Sequence, residues 1–200
     1  CEGIKVIACL HEQAASISAE ACSRINENLG IAVVTSGPGA TNAITGTVGA
    51  WIESVPLIII SGQVKRADMM NDQSLRQNGV QEVDIISMVK NITKYAVTVK
   101  NAKDIKLIME KAFHYAQTGR AGPVWIDIPL DIQGAPLNSK SLKGWKKISQ
   151  NTFYSIDQSN IDKLSKLLSK AERPLILAGH GVRLSGGSNV FKQVIDKLEI

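Results

Sequence analysis

The chain has 200 residues, 44% hydrophobic and 20% charged, with a formal net charge of +5; this is enough for one sizeable core, or for one domain and the beginning of another, and it excludes a disordered chain. The longest strongly apolar run, Val55 to Ile60, contains Pro56 and falls far short of the roughly 20 residues a membrane-spanning helix needs, so no membrane anchor is expected. Lys140, Lys143, Lys146 and Lys147 crowd one polar stretch without interleaved aromatics, an arrangement that does not read nucleic acid.

Strand and helix signals alternate along the chain, which gives an α/β fold class: a parallel sheet with helices on both faces. Ile4 to Leu10 reads as a strand, and Gln13 to Asn28 as an alanine-rich helix ended by Gly30 in the left-handed C′ position. Ile31 to Thr35 is the next buried strand. A glycine-bearing turn from Ser36 to Gly39 then opens a helical segment through Trp51, and Leu57 to Ser61 is again a strand. Lys65 to Gly79, with Asp68, Asn71, Asp72 and Arg76, is polar and aperiodic, and is expected as a loop with at most one helical turn, a candidate lid. Val83 to Val89 is expected as a helix and Tyr95 to Val99 as a strand. Asn101 and Asp104 cap a helix that runs to Gln117 and closes at Gly119. Pro123 to Ile128 is the last strand of this unit, with Val124, Ile126 and Ile128 buried.

From Gln133 to Asp157 the composition is that of an interdomain linker. A new unit follows, in which Ile161, Leu164, Leu167 and Leu168 have helical spacing, Pro174 stops the helix, and Leu175 to Ala178 begins a strand. The spacing from Gly179-His180-Gly181 to Gly186 does not fit a dinucleotide fingerprint, so this is read as a structural turn. Cys1, Cys9 and Cys22 are odd in number and lack metal-ligand spacing, so neither a disulfide nor zinc is expected. No basic-then-apolar leader opens the sequence, and a cytoplasmic location is inferred. Asn91-Ile92-Thr93 then matches a glycosylation pattern by accident.

The chemistry concentrates in two places. The turn Ser36-Gly37-Pro38-Gly39-Ala40-Thr41-Asn42 joins a strand to a helix, where backbone N–H groups can hold an anion or a flat ligand edge; alone, such a turn is more often plain architecture. His11-Glu12-Gln13 follows the preceding strand and puts a carboxylate on the same sheet edge, the one that ligands favour in open α/β folds. An isolated glutamate there would be read as an acid on a helix dipole. His11 and His114 are read as hydrogen-bonded framework residues.

In order along the chain stand His-Glu-Gln (11–13), Thr-Ser-Gly-Pro-Gly-Ala-Thr-Asn (35–42), Ser-Val-Pro (54–56), Ser-Gly-Gln-Val (61–64), Gln-Glu-Val-Asp (81–84) and Gly-Pro-Val…Asp-Ile-Pro (122–129). Together they resemble the large subunits of acetolactate synthases, enzymes that depend on thiamine diphosphate. The resemblance is dense from Ile4 to about Gln133 and resumes at Pro174 to Gly181. It implies a pyrimidine-binding domain over 1–133, N-terminally incomplete, a linker over 134–157, and the start of a central α/β domain over 158–200. Glu12 would bond the N1′ nitrogen of the cofactor's aminopyrimidine, and burial there would favour its protonated form. Pro38, Gly39 and Asn42 would lie against the pyrimidine, and Gln81 would face the substrate. The implied reaction is decarboxylation of a pyruvate-like 2-oxo acid with carboligation to a second carbonyl. Magnesium would be bound by a Gly-Asp-Gly…Asn motif that these residues do not contain, so no metal ligand is assigned here. Some relatives bind FAD in the central domain, which leaves flavin open. The active site would lie between two subunits of a homodimer or homotetramer.

Two departures bear on specificity. The family usually has Phe before the Gln-Glu pair and Lys after the last Ile-Pro, where this chain has Val80 and Leu130; both family residues face the substrate channel, and losing them changes which acids are held. The Lys65 to Gly79 loop is also longer than usual. A related thiamine-dependent lyase or decarboxylase of a specialised pathway is therefore an alternative. So are a non-catalytic binding or assembly protein that kept the fold, and a nucleotide-binding module.

Overall fold

A computed structural model describes residues 3–70, 74–146 and 156–199. Cys1, Asn71, Asp72, Lys147 and residues 148–155 of the linker, on which expectations above fall, lie outside the described residues. The chain divides into two compact units, Cys1–Trp145 and Lys146–Ile200.

The first unit opens on an irregular stretch where a strand was expected over Ile4 to Leu10. The apolar residues are there, but a strand exists only as a hydrogen-bonded pairing, and this stretch enters no ladder; Ile4, Val6, Ile7 and Leu10 are exposed. Helix α1 (Glu12–Asn26) follows. His11 caps it by accepting the Gln13 N–H on Nδ1 at 3.2 Å. The left-handed residue at its C-terminus is Glu27 (φ 56), not Gly30. Gly30 instead opens β1 (Gly30–Val34), where a Cβ would stand 2.2 Å from the Ala19 carbonyl oxygen of α1, so this glycine serves close helix-to-strand packing rather than a cap.

After β1 the expected single helix divides at Ala43 into α2 (Pro38–Asn42) and α3 (Ile44–Glu53). Then come β2 (Leu57–Gln63), a short 3₁₀ turn at Arg66–Asp68, α4 (Ile85–Val89) capped by Asp84, and β3 (Tyr95–Thr98). Asn101 caps a 3₁₀ turn that leads into α5 (Ile105–Gln117), followed by β4 (Pro123–Pro129) and one turn of helix, α6 (Leu130–Gln133). The four strands pair in parallel in the order β1-β2-β4-β3. The fold class is thus α/β with an all-parallel sheet.

Parallel strands need apolar cover on both faces, and the two core clusters supply it. Ala32, Val34, Leu57, Ile59 and Trp125 pack with Ala40, Ala43, Ala50, Ile85 and Val89 on the side of α2, α3 and α4. Ile58, Val124 and Ile126 pack on the other side with Ile108, Ala112 and Ala116, which recur at every fourth residue of α5. This second cover stops short of β1. Ile31 and Val33 share a face with their registered neighbours Ile58 and Ile60, yet they are 47% and 71% exposed. The expectation of a buried β1 therefore holds on one face only.

Helix α1 reaches α3 and β1 at backbone distance because small residues line the contact: a Cβ on Gly46 would meet Ser16 Oγ at 2.4 Å. Arg24 pairs with Glu20 one turn back and with Glu53 of α3 at 3.6 Å, a surface arrangement that contributes little beside the packing. Cys9 and Cys22 are free and exposed. Among the described residues no helix is long and apolar enough to cross a membrane.

The second unit contains α7 (Gln158–Lys170), capped by Asp157, a turn of helix α8 (Gly181–Leu184) entered from His180, and α9 (Ser188–Leu198). The strand expected at Leu175 to Ala178 is not formed among the described residues. Leu175 and Leu177 are 92% and 95% exposed, with no neighbouring strand to pair with.

Candidate functional site

All four strands point their C-terminal ends to one edge of the sheet, and the candidate residues gather there. Glu12 is the first residue of α1, and its Oε2 accepts from Asn42 Nδ2 at 3.1 Å, a contact spanning 30 residues of sequence. Two turns make it. His11 fixes where α1 begins, and the segment Ser36 to Asn42 folds back over the end of β1.

That second turn has a defined backbone. Gly37 takes φ 59 and ψ −124, and the Gly39 N–H bonds the Ser36 carbonyl at 3.3 Å, the geometry of a type II′ turn with glycine at its first central position. Pro38 then starts α2, where a missing N–H costs nothing. Gly39 is bare for a steric reason: a Cβ there would stand 2.4 Å from the Thr35 methyl and 3.1 Å from a Glu12 carboxylate oxygen. Glu12, Gly39 and Asn42 are thus in one place, and Pro38 is exposed beside them.

The expectation that burial would favour a protonated Glu12 applies beneath a bound pyrimidine; in the open chain the balance runs the other way. The Asn42 amide, and then a backbone N–H, hold its carboxyl below the ordinary value of 4.5, outweighing a weaker desolvation. The reason is openness: Glu12 is only half-buried, so donors to the charged form decide its state.

Gln81 arrives from the other side. It has a left-handed backbone, φ 60, uncommon for a residue with a side chain. Its carbonyl oxygen lies so close to Gly37 that a Cβ on that glycine would approach it to 2.0 Å. Val80 projects into solvent next to it, 81% exposed. Leu130 lines a cavity of about 590 Å³ that runs along the ends of β1, β2 and β4, together with Thr35, Ser36, Gln63 and Gln133 among others.

Sequence reasoning missed how the neighbouring polar residues are used. The Glu82 carboxylate accepts the backbone N–H groups of Met70 at 2.5 Å, Asn78 at 3.1 Å and Gly79 at 3.0 Å, closing the ends of the polar loop onto the Gln81 turn. The loop's other anchor is Arg66, whose Nε donates to Asp131 Oδ2 at 2.7 Å and whose guanidinium also reaches the Lys100 carbonyl. Ser61, Gln63 and Asp127 form a buried polar group within strands that otherwise read as apolar. Their signal in the sequence is an acid in the middle of the apolar run Val-Trp-Ile-Asp-Ile, which needs hydrogen-bond donors once the strand is buried.

Burial opposes the charge on Glu82 more than any other single influence, but the Met70, Gly79 and Asn78 N–H groups together outweigh it and hold the carboxyl below its ordinary value of 4.5. With the folded value below the unfolded one, the stabilisation is complete above about 4.5 and is lost as pH falls through the folded value. Hydrogen exchange should therefore show the Met70, Asn78 and Gly79 amides losing protection in that acid window while the β2 amides keep theirs. Equal loss in both places would count against Glu82 as the latch.

Comparison with known proteins gives these residues a context. Residues 1–88 match the family described as thiamine pyrophosphate enzyme, N-terminal TPP binding domain. The chain is 35% identical to the acetolactate synthase large subunit of Lactococcus lactis over 205 aligned residues, which cover 100% of this chain and 34% of that protein. It is 39% identical to the corresponding subunit of Buchnera aphidicola (98% of this chain, 34% of that protein) and 34% identical to the isozyme 2 large subunit of Escherichia coli (92% and 32%). The chain therefore spans about a third of the length of these curated relatives.

Proposed function

We propose that this chain, whose residues 1–88 match the N-terminal TPP binding domain family and which is 35% identical to an acetolactate synthase large subunit, belongs to the thiamine-diphosphate-dependent enzymes of that type, and that the whole protein decarboxylates a pyruvate-like 2-oxo acid and joins the remaining unit to a second carbonyl. The observation that carries this reading is Glu12, bonded to Asn42 against the bare Gly39: a carboxylate and an amide beside a residue with no side chain. The donor set fits an aminopyrimidine, which presents a ring nitrogen and an exocyclic amine.

When bound, thiamine diphosphate supplies the carbon nucleophile and the electron sink that decarboxylation needs. This chain's residues would do the rest. Glu12 would hold a proton at the pyrimidine ring nitrogen. In the open chain it rests in its charged form; a ring laid over it would exclude water, raise its proton affinity and ready it for that exchange. Gly39 would let the ring approach, Pro38 and Asn42 would bound it, and Gln81 would face the 2-oxo acid. Magnesium would be held by residues beyond these 200, and flavin stays an open addition. We assign 1–133 to the pyrimidine domain, 134–157 to a linker and 158–200 to the start of the central domain, in a cytoplasmic protein. The exposure of Pro38, Val80 and Gln81 favours a site completed by a second subunit, in a homodimer or homotetramer.

The test uses the full-length polypeptide with thiamine diphosphate and magnesium, with carbon dioxide release followed over a panel of 2-oxo acids. Saturable release with pyruvate or a close analogue is expected; a full-length protein to which calorimetry detects no thiamine diphosphate binding would overturn the reading. Val80 and Leu130 support a second reading, a lyase or decarboxylase of a specialised pathway. With Val80 where relatives carry an aromatic residue and Leu130 where they carry a cation, such an enzyme would turn over a less charged or bulkier acid faster than pyruvate in the same panel.

A further inference from the structure

Three of the quoted motifs, Ser-Gly-Gln-Val, Asp-Ile-Pro and Gln-Glu-Val-Asp, meet in one buried hydrogen-bond network. Asp127 of β4 is almost wholly enclosed. Its Oδ1 accepts the Ser61 hydroxyl at 2.6 Å, and its Oδ2 accepts the Gln63 amide at 3.1 Å and the Thr98 hydroxyl at 3.3 Å. Ser61 Oγ in turn accepts the Trp125 indole N–H at 2.8 Å. Among the described residues no cation pairs with this carboxyl, and burial pushes its proton affinity up against the three donors. An apolar residue would fill the same space without that penalty, so the carboxyl calls for a use.

The bonds indicate the use. Two of the three donors, Ser61 and Thr98, lie within the sheet. Gln63 alone leads out of it: its Nε2 also donates to the Val83 carbonyl at 3.1 Å, while its Oε1 accepts the Val64 N–H at 3.0 Å. Both amide hydrogens and the oxygen are engaged, so the amide has one orientation; flipped, its oxygen would face a carboxylate and a carbonyl. Val83 is two residues from Gln81, which sits in its left-handed conformation against Gly37. A strained backbone persists only where its surroundings over-determine it.

We infer that Asp127 and Gln63 are positioning residues for Gln81: Asp127 fixes the Gln63 amide, the amide fixes the Val83 carbonyl, and Gln81 is thereby kept at the turn beside Glu12. The inference rests on the reading that Gln81 faces the 2-oxo acid.

The test is made in the full-length enzyme with thiamine diphosphate and magnesium. Gln63→Met keeps the side chain's length and removes its hydrogen bonds. It is expected to raise KM for the 2-oxo acid about 10-fold, with thiamine diphosphate affinity unchanged. Asp127→Asn keeps an oxygen for Gln63 and Thr98 but sets an amide NH2 against the Ser61 hydroxyl, which donates to Asp127 in the parent; stability should fall, while KM, which depends on the retained Gln63 bond, should stay within about threefold of the parent. In a Gln81→Gly background, where the side chain is gone and the left-handed backbone is free of strain, Gln63→Met should add nothing further. The inference falls if Gln63→Met weakens cofactor affinity as much as it raises KM, if its effect persists undiminished beside Gln81→Gly, or if Asp127→Asn behaves like Gln63→Met. Failure of the thiamine reading looks different, since the parent itself would then bind no cofactor.

Discussion

Replacing Glu12 by Gln in the full-length protein is expected to reduce turnover by about 10²–10⁴-fold, the range for losing a positioned acid–base group, while leaving the fold in place. The fold should survive because Glu12 is half-buried at the start of α1 and a glutamine oxygen can still accept from Asn42. The chemistry should not, because an amide has no proton to exchange with a ring nitrogen. The comparison has a pH signature as well. The carboxyl of Glu12 is held below 4.5 by Asn42, so whatever its charge adds to stability is present above that value and lost as pH falls through the folded one. Parent and variant should therefore unfold alike in acid, and differ, if at all, near neutrality. Steady-state kinetics and thermal unfolding across pH measure both. Turnover in Glu12→Gln within a few-fold of the parent would remove the main support for the proposed function.

Gly37→Ala is the second change with a large expected effect, through structure rather than chemistry. The positive φ with ψ −124 suits glycine, and an added Cβ would stand 2.0 Å from the Gln81 carbonyl oxygen and 2.9 Å from its carbon. Backbone strain and overpacking together should cost about 2–5 kcal/mol. No side chain can yield there, since the obstructing atoms are backbone, so the turn and the Gln81 loop must separate, and KM for the 2-oxo acid should rise as stability falls. Gly49→Ala is the matched control. It lies inside α3, nothing stands within 4 Å of its Cβ position, and alanine there should stabilise by about 0.5–1 kcal/mol. Denaturant unfolding of the two variants should thus move in opposite directions. A tolerated Gly37→Ala would mean that the turn and the Gln81 loop do not touch as described.

What the sequence determined by itself was everything that follows from local pattern and motif. Alternating apolar strands and helices set the α/β class, and the ordered motifs pointed to the thiamine-dependent enzymes. Where a pattern needed a distant partner, local reading failed. Ile4 to Leu10 and Leu175 to Ala178 have the composition of strands, but a strand is a ladder of hydrogen bonds to another segment, and among the described residues neither has one. Ile31 and Val33 have the residues of a buried strand, but their exposure depends on how far α5 reaches across the sheet.

The site divides the same way. Glu12, Pro38, Gly39, Asn42 and Gln81 could be proposed as site residues from the chain alone, because each lies in a motif. Only the tertiary structure decided that Asn42 holds Glu12 in its charged form, that Gly37 is bare because the Gln81 carbonyl lies against it, and that Ser61, Gln63 and Asp127 are one network. Those are contacts between segments 30 to 66 residues apart, and no propensity or period in a single stretch of chain encodes which distant group it will meet.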